Sequence, residues 1–89
     1  MNESKDTGGR RWGLNRIDDL PKKPGVYVLF KNGKRVYVGE TLNLQNSLRQ
    51  HLLDSDEFTN FTWYNTTESY RFGLAKRLKK NYRKELEES

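Results

Sequence analysis

Two short apolar runs separated by Asn32-Gly33 dominate the pattern of hydrophobic and polar positions along the chain. The runs cover about residues 26–30 and 35–38 and consist mainly of β-branched and aromatic residues, which favour strands. An Asn-Gly pair between two such runs predicts a two-residue type I′ hairpin, because both turn residues need a positive φ. Alternation along the second run predicts that Val36 and Val38 share one face of their strand.

After the hairpin, the apolar residues recur every four positions and no longer every two. Leu44, Leu48 and Leu52 recur at i, i+4 and i+8, which is typical of the inward face of a helix. Thr41 or Asn43 stands where a side-chain oxygen caps the first turn. The sequence therefore predicts a helix of about ten residues directly after the second strand.

The remaining pattern predicts one further strand and one further helix. A strand is expected over about residues 58–64 and a long helix over about 66–86. The order is then β-β-α-β-α, which predicts an α+β fold with a small three-stranded antiparallel sheet and helices packed on it. Residues 1–13 are polar and glycine-bearing and predict a flexible basic arm, whereas 14–89 predict a single domain.

Composition narrows the class of protein. The 89 residues include 17 Lys and Arg against 12 Asp and Glu, which gives a net charge of +5. Such a balance favours a polyanionic partner, although charge of this size also serves solubility. The chain has no cysteine, so disulfides and thiol catalysis are excluded. No apolar run approaches the roughly 20 residues of a membrane span, and we expect a cytoplasmic protein without membrane contact.

A basic stripe on the last helix is the candidate surface for nucleic acid. Contacts from such a stripe to DNA phosphates would position a duplex without reading its sequence, and the alternative is an ordinary solvated helix face. The candidate DNA-binding residues are Lys76, Arg77, Lys79, Lys80 and Arg83.

The two strands carry a pair of tripeptides that resemble a known signature. Gly25-Val26-Tyr27 and Tyr37-Val38-Gly39 flank the turn, and a helix with His51 follows. Together they resemble the GIY-YIG nuclease domain family, with likeness to its bacterial excision-repair and homing-endonuclease branches. The resemblance covers about residues 20–82, most of the chain.

This resemblance implies a DNA endonuclease that hydrolyses phosphodiesters with Mg²⁺ or Mn²⁺, with a role in DNA repair. It implies that Tyr27 lies near the scissile phosphate and helps to activate water, and that Tyr37 positions water or phosphate. It implies that His51 relays a proton or contacts the phosphate. Gly25 and Gly39 are the expected points of close backbone approach.

Two positions depart from what the resemblance implies. The family has an arginine where this chain has Ser47, and a metal-binding glutamate where this chain has Ala75. Hydrolysis gathers negative charge on the phosphate, and a guanidinium and a metal ion offset that charge. We therefore expect a catalytically disabled domain, with Glu40 and Glu68 as the neighbouring carboxylates able to replace the metal ligand.

Three functions follow from these observations. The first is a metal-dependent DNA endonuclease domain in a disabled form, acting on duplex or branched DNA. The second is a non-catalytic DNA-binding module on the same fold, which the basic stripe favours. The third is a protein-interaction domain, in which the charge serves solubility alone.

Overall fold

The sheet and helices follow closely from the hydrophobic pattern. The structure, a computed structural model, describes residues 10–54 and 57–87. Its elements are β1 (Trp12–Gly13), a 3₁₀ helix (Leu14–Asp19), β2 (Gly25–Lys31), β3 (Lys34–Thr41), α1 (Leu44–Leu53), β4 (Asn60–Asn65), α2 (Tyr70–Asn81) and α3 (Arg83–Glu87).

The strands form one antiparallel sheet in the order β1-β4-β2-β3. The hairpin prediction is confirmed, since φ is 53° at Asn32 and 82° at Gly33 and Lys31 pairs with Lys34. The α+β prediction is also confirmed. Because β2 lies inside the sheet, its backbone is paired on both sides, while β3 pairs with β2 alone among the strands of the described residues.

The sheet has four strands in place of the predicted three. Trp12 pairs with Phe61, and the Trp12 ring makes edge contacts with Trp63 at 5.4 Å and with Phe61 at 6.1 Å. These aromatic contacts and the backbone pairing hold a two-residue strand that has no pattern of its own. Residues 1–9 of the predicted arm lie outside the described residues, and a single domain over 14–89 stays a prediction.

A β-bulge in β3 changes the predicted faces. Leu29 lies opposite Tyr37 but Phe30 lies opposite Arg35, so Val36 is the additional residue. Val36 packs against the cluster that contains Leu29, whereas Val38 packs on the opposite face of the sheet. The prediction that Val36 and Val38 share a face is therefore wrong, because the bulge breaks the two-residue alternation.

The sheet separates two apolar clusters. The cluster on what we call the α1 face consists of Ile17, Leu20, Tyr27, Leu29, Leu44, Leu48, Phe58, Phe61 and Trp63. The cluster on what we call the α2 face consists of Val26, Val28, Phe30, Val38, Ala75 and Leu78. Each helix thus covers one side of a sheet that is buried on both faces.

Helix α1 begins and packs nearly as predicted. The Asn43 side chain accepts the backbone N–H of Asn46 at 3.0 Å, which caps the first turn. Leu44 and Leu48 are fully buried, but Leu52 is 41% exposed. The inward stripe therefore covers two turns and not the predicted three.

The predicted last helix is two helices. The Thr67 hydroxyl accepts the backbone N–H of Tyr70, so α2 begins four residues later than expected. Tyr82 leaves helical geometry with φ −107° and ψ 20°, and α3 follows. Glu85 anchors α3 on β3 by accepting the backbone N–H of Arg35 at 2.6 Å and its guanidinium at 3.1 Å. Within the described ranges, no helix has the length and apolar character needed to cross a membrane.

Candidate active site

A tyrosine of β2 and the histidine of α1 form the centre of the site. The Tyr27 hydroxyl and His51 Nε2 lie 2.8 Å apart and share a hydrogen bond, and the ring centroids are 5.4 Å apart. The two residues meet because Leu44 and Leu48 hold α1 against the strand that carries Tyr27. Tyr27 is only 5% exposed, so its ring belongs to the core and its hydroxyl to the site.

Tyr37 forms the outer wall of the same site. Its ring lies 6.0 Å from that of Tyr27 and 5.2 Å from the imidazole of His51, and it is 45% exposed. Leu29, Val36, Tyr37, His51 and Glu57 line an adjacent cavity of about 290 Å³. We call Tyr27, Tyr37 and His51 the Tyr–His cluster. The structure therefore brings together all three aromatic and imidazole groups that the sequence analysis placed in one site.

The two signature glycines provide room for protein atoms. A Cβ on Gly39 would lie 2.5 Å from Cζ and Oη of Tyr27 and 2.8 Å from Cε2 of Tyr37. A Cβ on Gly25 would meet the backbone oxygen of Tyr64 and lie 2.7 Å from Cδ1 of Leu44. Protein atoms therefore approach both positions closely, the site tyrosines at Gly39 and β4 with α1 at Gly25. Approach of a ligand to either glycine stays a prediction.

Ser47 lies one helical turn before His51, on the same side of α1. Its hydroxyl donates to Thr41 Oγ1 at 2.5 Å, and the Thr41 hydroxyl donates to the backbone oxygen of Asn43 at 3.2 Å. The hydroxyl that stands at the expected arginine position is therefore used to hold the start of α1. It adds no positive charge to the site.

Ala75 lies away from the Tyr–His cluster. It is 3% exposed and packs on the α2 face with Val26, Val28 and Leu78. The structure does not bring this position to the other candidate site residues, because α2 covers the opposite side of the sheet. A carboxylate at residue 75 would be buried among apolar groups, which is costly without a partner.

Glu40, the carboxylate that follows Gly39, is held in an ion pair. Arg71 Nε donates to Glu40 Oε1 at 2.6 Å, with side-chain exposures of 13% and 33%. A second guanidinium nitrogen of Arg71 donates to the backbone oxygen of Glu68. The sequence analysis gave Arg71 no role at the site, although an arginine on the inward stripe of a helix is the signal for such a buried partner.

The carboxylates of the site do not fit a bound divalent cation. Within residues 10–54 and 57–87, no three His, Cys, Asp or Glu side chains come together as a metal-binding group. Lys31 Nζ donates to Glu57 at 2.6 Å, and this hydrogen bond and charge hold the pKa of Glu57 below its ordinary value. Glu40 and Glu57 thus each face a protein cation, which repels a second cation.

The basic candidates divide into two groups. All five side chains are exposed, as a solvated or DNA-facing stripe requires: Lys76, Arg77, Lys79, Lys80 and Arg83. Only Lys79 and Arg83 also face β3 beside Tyr37. The other three do not line the cleft there, and Arg77 donates to the Tyr70 hydroxyl at 3.1 Å.

Comparison with solved structures gives close matches to one kind of domain. The chain is similar to the N-terminal GIY-YIG endonuclease domain of UvrC from Thermotoga maritima, in a point mutant bound to its catalytic divalent cation. The identity is 28%, the TM-score is 0.69, and the match covers 78% of this chain and 87% of that one. The magnesium-bound form of the same domain is 29% identical with a TM-score of 0.66, covering 78% and 88% of the two chains.

Sequence comparison leads to the same group. The UvrABC system protein C of Caldicellulosiruptor saccharolyticus is 45% identical over 42 residues, which are 46% of this chain and 7% of that protein. The corresponding protein of Aquifex aeolicus is 43% identical over 42 residues, or 47% and 7%. The chain spans less than a tenth of the length of these relatives. Residues 23–87 match the family described as the GIY-YIG catalytic domain, and the chain belongs to that family.

Proposed function

We propose that this chain is a DNA endonuclease-type domain that retains a phosphodiester-facing site but has lost most of its hydrolytic power. The observation that carries the proposal is the Tyr27–His51 hydrogen bond of 2.8 Å beside the exposed ring of Tyr37. DNA, as a duplex or a branched molecule, is the proposed substrate, and the cytoplasm is the proposed location.

The Tyr–His cluster has the groups for proton transfer. With Nε2 unprotonated, His51 accepts the phenolic proton of Tyr27 while the phenolic oxygen takes a proton from water. Tyr37, at the outer wall, is exposed enough to donate a hydrogen bond to a phosphate oxygen. Positioned groups of this kind contribute roughly 10²–10⁴-fold to the rate of a hydrolysis.

Residues 10–54 and 57–87 do not supply the site with the charges that stabilise the transition state. A divalent cation would supply Lewis acidity at the phosphate, but Glu57, which lines the cavity beside the Tyr–His cluster, is paired with Lys31. Glu40, which follows Gly39 in the chain, is paired with Arg71 of α2. Ser47 offers a neutral hydroxyl that already donates to Thr41. Loss of one oriented donor commonly lowers the rate about 10²–10³-fold, so the absence of both charges supports near-complete inactivity.

A non-catalytic DNA-binding module is the second candidate. The Glu40–Arg71 ion pair and the Ser47–Thr41 hydrogen bond favour it, because both satisfy polar groups internally at positions next to the site. The exposed basic stripe would then provide the whole function. A protein-interaction domain gains support from none of these contacts.

The test restores charge where the geometry allows it. Ser47→Arg places a guanidinium on the His51 side of α1, and Arg71→Glu frees Glu40 and sets a second carboxylate beside it. Residue 75 is unsuitable for this purpose, because a glutamate there would be fully buried among apolar side chains. Nicking of supercoiled plasmid is measured with Mg²⁺ and with Mn²⁺.

We expect the double variant to nick plasmid at least 100-fold faster than the unmodified protein. A triple variant that also carries Tyr27→Phe is the matched control and is expected to lose the gain. Absence of nicking by a folded double variant that still binds DNA would reject the endonuclease-type site and leave the DNA-binding module.

A further inference from the structure

A second cleft lies beside the Tyr–His cluster, where strand β3 forms the edge of the sheet. Its volume is about 310 Å³, which is within the range of ligand-binding clefts. Val38 and Leu86 from the α2 face and Val36 from the other side of the strand edge provide its apolar lining, and Lys79 and Arg83 line it with charge. We call it the β3–α3 cleft.

We propose that the β3–α3 cleft binds one unpaired nucleotide of a DNA strand whose neighbouring phosphate lies at the Tyr–His cluster. This inference rests on the proposed function and narrows it to DNA with unpaired bases. Tyr37 connects the two sites, because it lines the cavity next to His51 and also lines the cleft. A strand that crosses Tyr37 therefore has one nucleotide on each side of the ring.

The rim of the cleft carries charge that suits a phosphate. Lys79 and Arg83 are four residues apart and both exposed. Arg83 Nε donates to Glu87 Oε2 at 3.3 Å, with side-chain exposures of 76% and 66%. Ion pairs this exposed contribute little to stability, so a phosphate oxygen displaces the Glu87 carboxylate from Arg83 at small cost.

The wall of the cleft suits a base and not a duplex backbone. A nucleobase has a flat apolar face for which Val38 and Leu86 on the α2 face provide contact. The half-exposed ring of Tyr37 stands at the boundary between the cleft and the Tyr–His cluster, where a base can stack on it. In a duplex the bases are paired and stacked, so they cannot enter. A duplex backbone would contact the lysine and arginine while leaving the apolar wall empty.

The open edge of β3 adds hydrogen-bonding groups. Three consecutive residues, 36–38, line the cleft, so the strand edge itself forms part of the wall. Among the described strands, β3 pairs with β2 alone. Outward N–H and C=O groups of such an edge are suited to pair with an incoming group, here the donor and acceptor edge of the base.

The first experiment compares three fluorescein-labelled probes by anisotropy with the unmodified protein at low salt. The probes are a ten-residue oligothymidylate, an abasic strand of the same length and charge, and a hairpin duplex. We expect the oligothymidylate to bind at least about 5-fold more tightly than the abasic strand, since stacking of one base has an effect of this size. Equal affinity for these two strands would overturn the proposal.

The second experiment uses two double variants with the same charge change and the same spacing. We expect Lys79→Glu with Arg83→Glu to weaken oligothymidylate binding at least 10-fold and to abolish the preference over the abasic strand. The matched control is Lys76→Glu with Lys80→Glu. It is expected to weaken the binding of all three probes by the same factor and to keep the preference for the oligothymidylate over the abasic strand. Circular dichroism checks the fold of both variants.

The outcomes separate the two proposals. If no probe binds, both the proposed DNA-directed function and the proposed nucleotide site in the cleft are rejected. Binding of the duplex without preference for a base-bearing single strand, or equal loss of preference in both double variants, would overturn the cleft alone. A concentration-dependent dimer that excludes the oligothymidylate would assign the cleft to a second copy of the chain, and would also overturn it.

Discussion

At the scale of single residues, the signature glycine Gly39 and the tyrosine Tyr27 depend on each other. The Tyr27 ring occupies the space where a Cβ on Gly39 would lie, and its hydroxyl reaches His51. Gly39 therefore acts on the chemistry indirectly, by leaving the ring in the position from which the hydrogen bond forms.

Gly39→Ala is expected to destabilise the protein by about 1–3 kcal/mol, because the surrounding core must shift to admit the methyl group. Gly73→Ala is the matched control: no atom lies within 4 Å of its Cβ position and it stands inside α2. It is expected to raise stability by about 0.5–1 kcal/mol. Urea denaturation measures both changes, and equal stability of Gly39→Ala and the unmodified protein would contradict the packing account.

Tyr27→Phe tests the hydrogen bond itself. Removal of the hydroxyl leaves the ring in the core but removes the hydrogen bond to His51. This is expected to lower the free energy of unfolding by about 0.5–1.5 kcal/mol. Tyr37→Phe, at an exposed position, is expected to change stability by less than about 0.5 kcal/mol. Thermal unfolding followed by circular dichroism compares the two variants, and the reverse order of effects would contradict the assignment of Tyr27 as the inner residue.

At the scale of elements, α3 is held on the sheet through one carboxylate. The backbone N–H and the guanidinium of Arg35 both donate to Glu85, and the backbone hydrogen bond is the main reason that the pKa of Glu85 lies below its ordinary value. Docking of α3 matters for the proposed nucleotide site because Leu86 lines the β3–α3 cleft.

The lowered pKa of Glu85 predicts a pH dependence with a definite sign. A carboxylate with a lower pKa in the folded state stabilises that state above its unfolded pKa, and the contribution is lost as pH falls through the folded pKa. Glu85→Gln is therefore expected to lower the melting temperature at pH 7. The difference in melting temperature between the variant and the unmodified protein is expected to shrink as the pH falls below 4.5, the ordinary pKa of the carboxyl group. The exposed neighbour variant Glu87→Gln is the control, and a difference that grows in acid would contradict this docking.

The elements that follow local rules were predictable from the sequence. The turn at Asn32-Gly33 and the cap at Asn43 depend on a few neighbouring residues, and both are found. The strand at Trp12–Gly13 was missed because its pairing with β4 joins residues far apart in the chain. The Val36 bulge was missed because a register shift leaves no mark in a short apolar run.

In the candidate site too, features that depend on local sequence could be predicted and features that depend on distant residues could not. The resemblance that implied the Tyr–His cluster rests on two local tripeptides and the helix that follows them, all of which can be recognised in the sequence. The Arg71–Glu40 pair joins residues 31 positions apart, and the burial of Ala75 depends on which face of the sheet α2 covers. Neither is encoded in a local pattern, so the distance of Ala75 from the Tyr–His cluster could not be seen in the sequence, and its place as the metal-ligand position stays a prediction.

At the scale of the whole molecule, the basic balance of the chain, with a net charge of +5, predicts that the proposed DNA binding weakens as salt is added. The logarithm of the binding constant is expected to fall linearly with the logarithm of salt concentration, with a slope of about −0.7 to −0.9 per phosphate contacted. Lys79→Glu with Arg83→Glu is expected to make the slope less negative by about 2, since each lost phosphate contact lowers the magnitude of the slope by about 1. Anisotropy titrations over a salt series measure the slopes, and binding that is insensitive to salt would contradict a phosphate-facing surface.

The central claim is that the chain keeps the GIY-YIG fold and a DNA-facing site without the charges that hydrolysis needs. Incubation of the unmodified protein with supercoiled plasmid and Mg²⁺, at concentrations where a gel shift shows that the DNA is bound, tests this claim most directly. We predict that the bound plasmid remains supercoiled. Nicking that requires Mg²⁺ and disappears in Tyr27→Phe would contradict the claim.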